Sequence, residues 1–209
     1  RYFIMKKNKS YKNWVIQQHR DQYFKQAKSS GFRSRSAYKL LELNKKFKFF
    51  SKCKTVIDLG SYPGGWSQVL KKNLKNCKIL SVDIKKMEKI EGVDFICCDF
   101  LKEASKDKIM RRLQTKVDLL ISDMAADTTG NKDLDCIRTN AICAEVIEFS
   151  CSVIKDSGVV IAKLFNGKDF LNIKKLAENK FCKVNFFKPE SSRNHSKETY
   201  IHCAGIKTL

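Results

Sequence analysis

Hydrophobic and polar positions fall into alternating blocks along the chain. Short apolar runs rich in Val, Ile and Leu occupy residues 55–59, 78–83, 93–97, 117–122 and 159–164, and longer charged stretches with helical spacing separate them. This pattern predicts five strands alternating with helices. One or two helices lie within residues 10–48, a third opens at 64–72, and a charged one covers 100–114. After a loop rich in Asp, Thr and Gly at 125–135, a long helix runs to about Ser157, where Gly158 is a natural C-cap, and another spans 169–178. Two further strands, 183–187 and 199–206, are joined by a polar turn and no helix. Strand-helix alternation predicts an α/β protein with a mostly parallel seven-stranded sheet covered by helices on both faces, and a final antiparallel strand.

The first strand ends in a turn that narrows the chemistry. Thr-Val-Ile-Asp-Leu-Gly-Ser-Tyr-Pro-Gly-Gly-Trp, residues 55–66, is a strand closing on an acid, then a glycine-rich corner that opens a helix. A ligand approaches backbone closely where no side chain intervenes, which Gly60, Gly64 and Gly65 allow. The spacing matches neither the dinucleotide fingerprint nor the phosphate loop, because Ser61-Tyr62-Pro63 follow Gly60 and Trp66 stands where a lysine is required. A nucleotide-like cofactor without phosphate, S-adenosylmethionine, fits better. Acids close successive strands: Asp58 under the turn, Asp83 about 20 residues past the glycines where ribose hydroxyls are gripped, Asp99 beside the expected adenine, and Asp123. An ordinary corner with capping acids is the bland alternative for each taken singly.

Charge adds a partner. The 209 residues carry a formal net charge of +20. Residues 1–48 hold fourteen Lys and Arg against Asp21 and Glu42, so twelve of those charges lie there. Tyr11, Trp14, Tyr23, Phe24, Phe32 and Tyr38 interleave with them, as a surface meeting phosphates and unstacked bases requires. The organisation expected is one globular unit, with a basic helical extension over 1–48 and the catalytic domain over 49–209. Nine cysteines without a C-x-x-C pair read as small buried hydrophobes in a reducing compartment, and the three histidines lack zinc-ligand spacing, so no metal is expected. No apolar run suggests a membrane span, and a monomer is expected. The chain begins at Arg1; mitochondrial matrix and cytoplasm both fit.

Lys163 is unusual. It interrupts Val159-Val160-Ile161-Ala162-Lys163-Leu164, where desolvation would lower its pKa and leave a neutral amine able to act as a base. Pairing with Asp123 for structural reasons is the alternative.

The chain resembles the FtsJ family of RNA 2′-O-methyltransferases over nearly its whole length, most closely the bacterial and mitochondrial branch acting on large-subunit ribosomal RNA. The carriers are Asp21-Gln22-Tyr23, Arg33-Ser34-Arg35-Ser36-Ala37-Tyr38-Lys39-Leu40, Asp58-Leu59-Gly60 and Pro63-Gly64-Gly65-Trp66-Ser67-Gln68. Further on are Gly92-Val93-Asp94-Phe95 with Asp99-Phe100, Ser122-Asp123-Met124-Ala125, and Lys188-Pro189 with Ser191-Ser192-Arg193 and Glu198 with Tyr200. The resemblance implies a Rossmann-like fold, a catalytic tetrad of Lys39, Asp123, Lys163 and Glu198, and a cofactor site drawing on Asp58, Gly60, Pro63, Gly64, Gly65, Trp66, Asp83, Asp99 and Asp123. Two departures stand out: Ala126-Asp127 where the family usually has Pro-Asn, and Ser61-Tyr62 where it usually has Ala-Ala.

In the mechanism expected, Lys163 takes the ribose proton, Asp123 orients it, and Lys39 with Glu198 hold the ribose. Lys28, Arg33, Arg35 and Arg193 are the expected phosphate contacts, with specificity left to RNA shape and stacked bases. The partner expected is ribosomal RNA or the large ribosomal subunit. The alternatives are the same chemistry on a tRNA anticodon loop or an mRNA cap, and an RNA-binding assembly factor without turnover.

Overall fold

The structure, a computed structural model, describes residues 21–193 and 195–207. Tyr11, Trp14 and any helix over 10–20 lie outside them. The described elements run in the order α1 Gln22–Ser29, α2 Ser36–Phe47, a 3-10 turn Phe49–Lys52, β1 Thr55–Leu59, α3 Gly65–Asn73, β2 Lys78–Asp83, β3 Asp94–Cys97, α4 Glu103–Leu113, β4 Val117–Ser122, α5 Lys132–Val153, β5 Ile154–Phe165, α6 Phe170–Lys180, β6 Phe181–Phe187 and β7 Glu198–Ile206.

The sheet order is β3-β2-β1-β4-β5-β7-β6. Strands β1 to β5 pair in parallel, whereas β7 lies antiparallel between β5 and β6. The chain leaves β1 toward β2 and β3, then returns to place β4 on β1's other edge. This reversal opens a crevice at the carboxyl ends of β1 and β4, the position at which open α/β sheets bind ligands.

Two apolar layers hold the sheet. Ile57, Leu59, Leu80 and Leu120 face α4, α5 and α6, and Val56, Ile79, Leu119, Ile121 and Ile161 face α2 and α3. Successive residues of β1 and β4 therefore bury opposite faces, as the two-residue strand period demands. Ala37, Leu40 and Leu43 of α2 share the second layer with Trp66 and Tyr200. The expected boundary at residue 48 thus corresponds to no gap in packing, since α2 is a wall of the core and brings Lys39 to the crevice.

Gly158 caps no helix. Helix α5 stops at Val153 because Ile154 turns extended and pairs with Val117, and the register shifts before Leu119 pairs with Val159. The chain folds over itself in this bulge, and a Cβ at Gly158 would collide with the Ile154 side chain. Among the cysteines Cys53, Cys136, Cys143 and Cys203 are buried, but Cys97 and Cys182 are exposed on strands β3 and β6.

Candidate active site

The four residues expected to form a tetrad meet at the crevice from four separate elements. Lys163, on β5 beside the antiparallel β7, places Nζ 2.9 Å from Asp123 Oδ1 and donates to the Asp123 carbonyl at 2.7 Å. Glu198 Oε2 lies 3.7 Å from the same ammonium, while Lys39 Nζ sits 2.7 Å from Glu198 Oε1 and 2.9 Å from Oε2. Ser192 Oγ donates to Glu198 Oε1 at 2.8 Å. The strand tip of β4 supplies Asp123, the start of β7 supplies Glu198, and α2 supplies Lys39. Two cations and two anions thus balance in a nearly dry place.

Burial alone would lower the Lys163 pKa, as the sequence suggested. Here the Asp123 and Glu198 carboxylates outweigh it and hold Lys163 above its ordinary value. The expectation of a depressed pKa is corrected: at rest Lys163 is an ammonium. Burial pushes Asp123 up, but the Lys163 and Lys39 charges with hydrogen bonds from Lys163 and Tyr200 bring it below the ordinary carboxylate range. Tyr200 was missing from the expected set. Its hydroxyl donates to Asp123 Oδ1 at 2.5 Å from a fully buried ring, and its position beside Glu198 in the last strand was the available signal.

A cavity of about 260 Å³ adjoins this cluster, lined by Gly60, Asp83, Asp99, Asp123, Asp127 and Met124 among others. Asp83 already accepts Tyr62 N–H on Oδ2 at 2.9 Å and Lys85 N–H on Oδ1 at 2.8 Å. Each carboxylate oxygen keeps a further lone pair, so two adjacent hydroxyls fit. A Cβ at Gly60 would collide with Met124, which walls the cavity. Exposed apolar rims at Ile84, Leu101 and Tyr62 suit a flat aromatic base, and sequence reasoning named none of them as such. The donor set of carboxylates, apolar faces and a bare glycine fits S-adenosylmethionine, whose sulfonium and ammonium are cations. Both family departures touch this cavity: Asp127 lines it, and Tyr62 stands at its rim with Lys85 Nζ 5.5 Å from the ring centre.

Five expected cofactor residues stay outside the lining. Gly64 and Gly65 leave room for other side chains: Arg33, Met87 and Ile90 crowd the first, Ser34 the second. Trp66 is buried, donating to the Ser36 carbonyl at 2.7 Å with its ring 5.8 Å from Tyr200. Pro63 follows a cis peptide bond, and its carbonyl takes Arg33 at 3.2 Å. Asp58 is wholly buried beneath the turn, accepting Ser67 Oγ at 2.6 Å on Oδ2 while Oδ1 finds no partner among the described residues. Burial pushes its carboxyl up to about 7 against the Ser67 hydrogen bond, with Asp123 and Asp83 adding to the rise.

The expected phosphate contacts divide. Arg33 spends its donors on the carbonyls of Pro63, Glu88 at 2.7 Å and Lys89 at 3.1 Å, so it braces the loop after β2 instead of facing solvent. Arg35 is largely buried between Asp21 and the Ser191 carbonyl. Lys28 and Arg193 are exposed.

With this geometry established, comparison decides the family. The FtsJ-like methyltransferase profile matches residues 32–206. The chain belongs to the FtsJ-like methyltransferase family. Within reach of that family, a Pelagibacter ubique protein named ribosomal RNA large subunit methyltransferase E is 44% identical over 199 residues, covering 95% of this chain and 98% of that protein. One of the same name from Rickettsia akari is 44% identical over 195 residues, covering 90% and 86%. A solved Plasmodium falciparum structure carrying the name ribosomal RNA methyltransferase superposes with TM-score 0.75 at 33% identity, covering 84% of this chain and 98% of that one. The FtsJ-like family places the tetrad cluster and the Asp83 cavity in a methyltransferase.

Proposed function

We propose that this chain methylates a ribose 2′-hydroxyl of large-subunit ribosomal RNA, using S-adenosylmethionine held in the Asp83 cavity. The observation that carries the reading is the Lys39-Asp123-Lys163-Glu198 cluster, in which Lys163 and Glu198 are buried and Asp123 is shared with that cavity. The names of the relatives support ribosomal RNA as the substrate. Asp83 would accept the cofactor's ribose hydroxyls, Ile84, Leu101 and Asp99 would hold its base, and Asp123 would face its methyl-bearing end. When bound, the cofactor supplies a methyl group on sulfur that leaves a neutral thioether, so no charge on the leaving group needs neutralising.

The chain's residues must place the hydroxyl in line and remove its proton. Lys39 and Glu198 orient the target ribose. Lys163 accepts the proton in its neutral form, which is the minor form at neutral pH because Asp123 and Glu198 stabilise the ammonium. Asp123 keeps the lysine directed at the hydroxyl and afterwards stabilises the ammonium that forms. A labelled methyl-transfer assay on large ribosomal subunits, naked ribosomal RNA and tRNA, read as alkali-resistant dinucleotides, tests this. Label in large-subunit ribosomal RNA is expected. Label only in tRNA would move the substrate, and label on a base would reject ribose chemistry.

A further inference from the structure

A second cavity, of about 240 Å³, is lined by Arg35, Lys39, Ser191, Arg193, Ser196 and Glu198. The tetrad contributes Asp123 to the cofactor cavity and Lys39 and Glu198 to this one. Its walls are tied together. Glu42 on α2 accepts the backbone N–H groups of Glu190 at 2.6 Å and Ser191 at 3.1 Å, and Arg35 donates to the Ser191 carbonyl. Helix α2 and the turn between β6 and β7 therefore form one preassembled unit.

Two features of this unit call for an anion. The Ser191 hydroxyl is fully buried and finds no hydrogen-bond partner among the described residues, which costs free energy unless a ligand supplies an acceptor. Arg193 has no ion-pair partner among the described residues, and its charge lies near enough to Arg35 to add to the lowering that burial imposes there. Glu198 offsets part of this positive field at Arg35, but it is itself paired with Lys39 at 2.7 Å and Lys163 at 3.7 Å.

We propose that this cavity is an oxyanion subsite for the phosphodiester on the 3′ side of the target ribose, a proposal that rests on the ribose-methylation reading. The chemistry of RNA sets the side. The reacting oxygen is on C2′ and the 3′ phosphate hangs from the neighbouring carbon, whereas the 5′ phosphate leaves from beyond C4′. A hydroxyl presented to Lys163 and Asp123 thus directs its 3′ phosphate past Lys39 and Glu198 to Arg193 and Ser191 Oγ. Bidentate guanidinium and hydroxyl donors suit the two unbridged oxygens. The subsite admits internal nucleotides and disfavours a 3′-terminal one.

The test uses RNA carrying one uncharged methylphosphonate, placed 3′ or 5′ of the nucleotide that the enzyme methylates. The 3′ substitution should lower kcat/KM about tenfold or more, the scale of a lost charge-assisted contact, and the 5′ substitution much less. Arg193→Gln should show the same loss on ordinary RNA and little further loss with the 3′ methylphosphonate. Equal sensitivity to the two substitutions, or an Arg193→Gln variant that still discriminates fully, would overturn the subsite. Inorganic sulfate soaked into crystals of the protein provides a readout independent of activity. Sulfate density against Arg193 and Ser191 Oγ is expected, and a cavity without sulfate at saturating concentration would reject the anion site. No methylation of unmodified RNA by the wild-type chain, with sulfate bound as expected, would instead bring down the ribose reading.

Discussion

Tyr200 and Lys163 stand directly opposite each other on the antiparallel strands β7 and β5, and both donate to the same oxygen, Asp123 Oδ1. A carboxylate oxygen shared in this way attracts each donor less than it would attract one alone. Removing the tyrosine hydroxyl should therefore let Asp123 hold the Lys163 proton more tightly. Tyr200→Phe keeps the ring that packs on Trp66, so folding and S-adenosylmethionine affinity should persist. The alkaline rise of single-turnover methyl transfer should move up by roughly one pH unit. An unmoved profile with a normal fold would show that Tyr200 has no influence on the lysine.

Asp83 faces the cavity proposed to hold the cofactor, with two backbone amides already bound. Asp83→Ala should weaken S-adenosylmethionine binding tenfold or more, from loss of a charge-assisted pair worth about 1.5–3 kcal/mol. Calorimetry on the folded variant checks it. Asp83→Asn, which keeps one acceptor, should fall between the two; equal affinity in all three would remove Asp83 from the site.

Arg33 joins α2's leading loop to the carbonyls of Pro63, Glu88 and Lys89. Arg33→Gln should lower the melting temperature and S-adenosylmethionine affinity together, because the cavity-bearing loops lose their brace, while the salt dependence of RNA binding stays the same. A flattened salt slope with unchanged stability would return Arg33 to the RNA surface.

Asp58 has a folded pKa of about 7, above its unfolded value, so between about pH 4 and 7 the folded state binds more protons. Its neutral form costs little, whereas above pH 7 the fold carries an unpaired buried charge. Stability should fall as pH rises through this window. Asp58→Asn removes the titration, so its unfolding free energy relative to wild type should be more favourable at pH 8 than at pH 5, by about 2–4 kcal/mol at most, read from denaturant unfolding at the two pH values. The same offset at both values would show that Oδ1 finds a partner.

The alternation of apolar runs was sufficient to read the sheet, because its central strands bury both faces and so stand out from their surroundings. Gly158 misled because Ser-Gly after a helix reads as a cap, while the deciding contact, Ile154 with Val117, lies 37 residues apart in sequence. The acids at strand ends were legible for the same reason as the strands, since each terminates a run. The roles of Gly64, Gly65 and Arg33 were not, because what fills the space beside a glycine or receives a guanidinium depends on loops far away in the chain. Lys163 shows the limit most clearly: an apolar strand foretold its burial, but the two carboxylates that reverse its pKa arrive from β4 and β7.

The central claim is that Lys163 removes the proton from a ribose hydroxyl at the tetrad. Single-turnover methyl transfer to large-subunit ribosomal RNA, with cofactor and RNA saturating, tests it across pH 6 to 10 in wild type, Lys163→Ala and Lys163→Arg. The wild-type rate should rise about tenfold per pH unit toward the Lys163 pKa, and both variants should lose transfer while still binding cofactor and RNA, because alanine has no base and a guanidinium keeps its proton. A flat wild-type profile with substantial activity in Lys163→Arg would contradict the claim and make Lys163 a fixed cation; substantial activity in Lys163→Ala would remove it from catalysis.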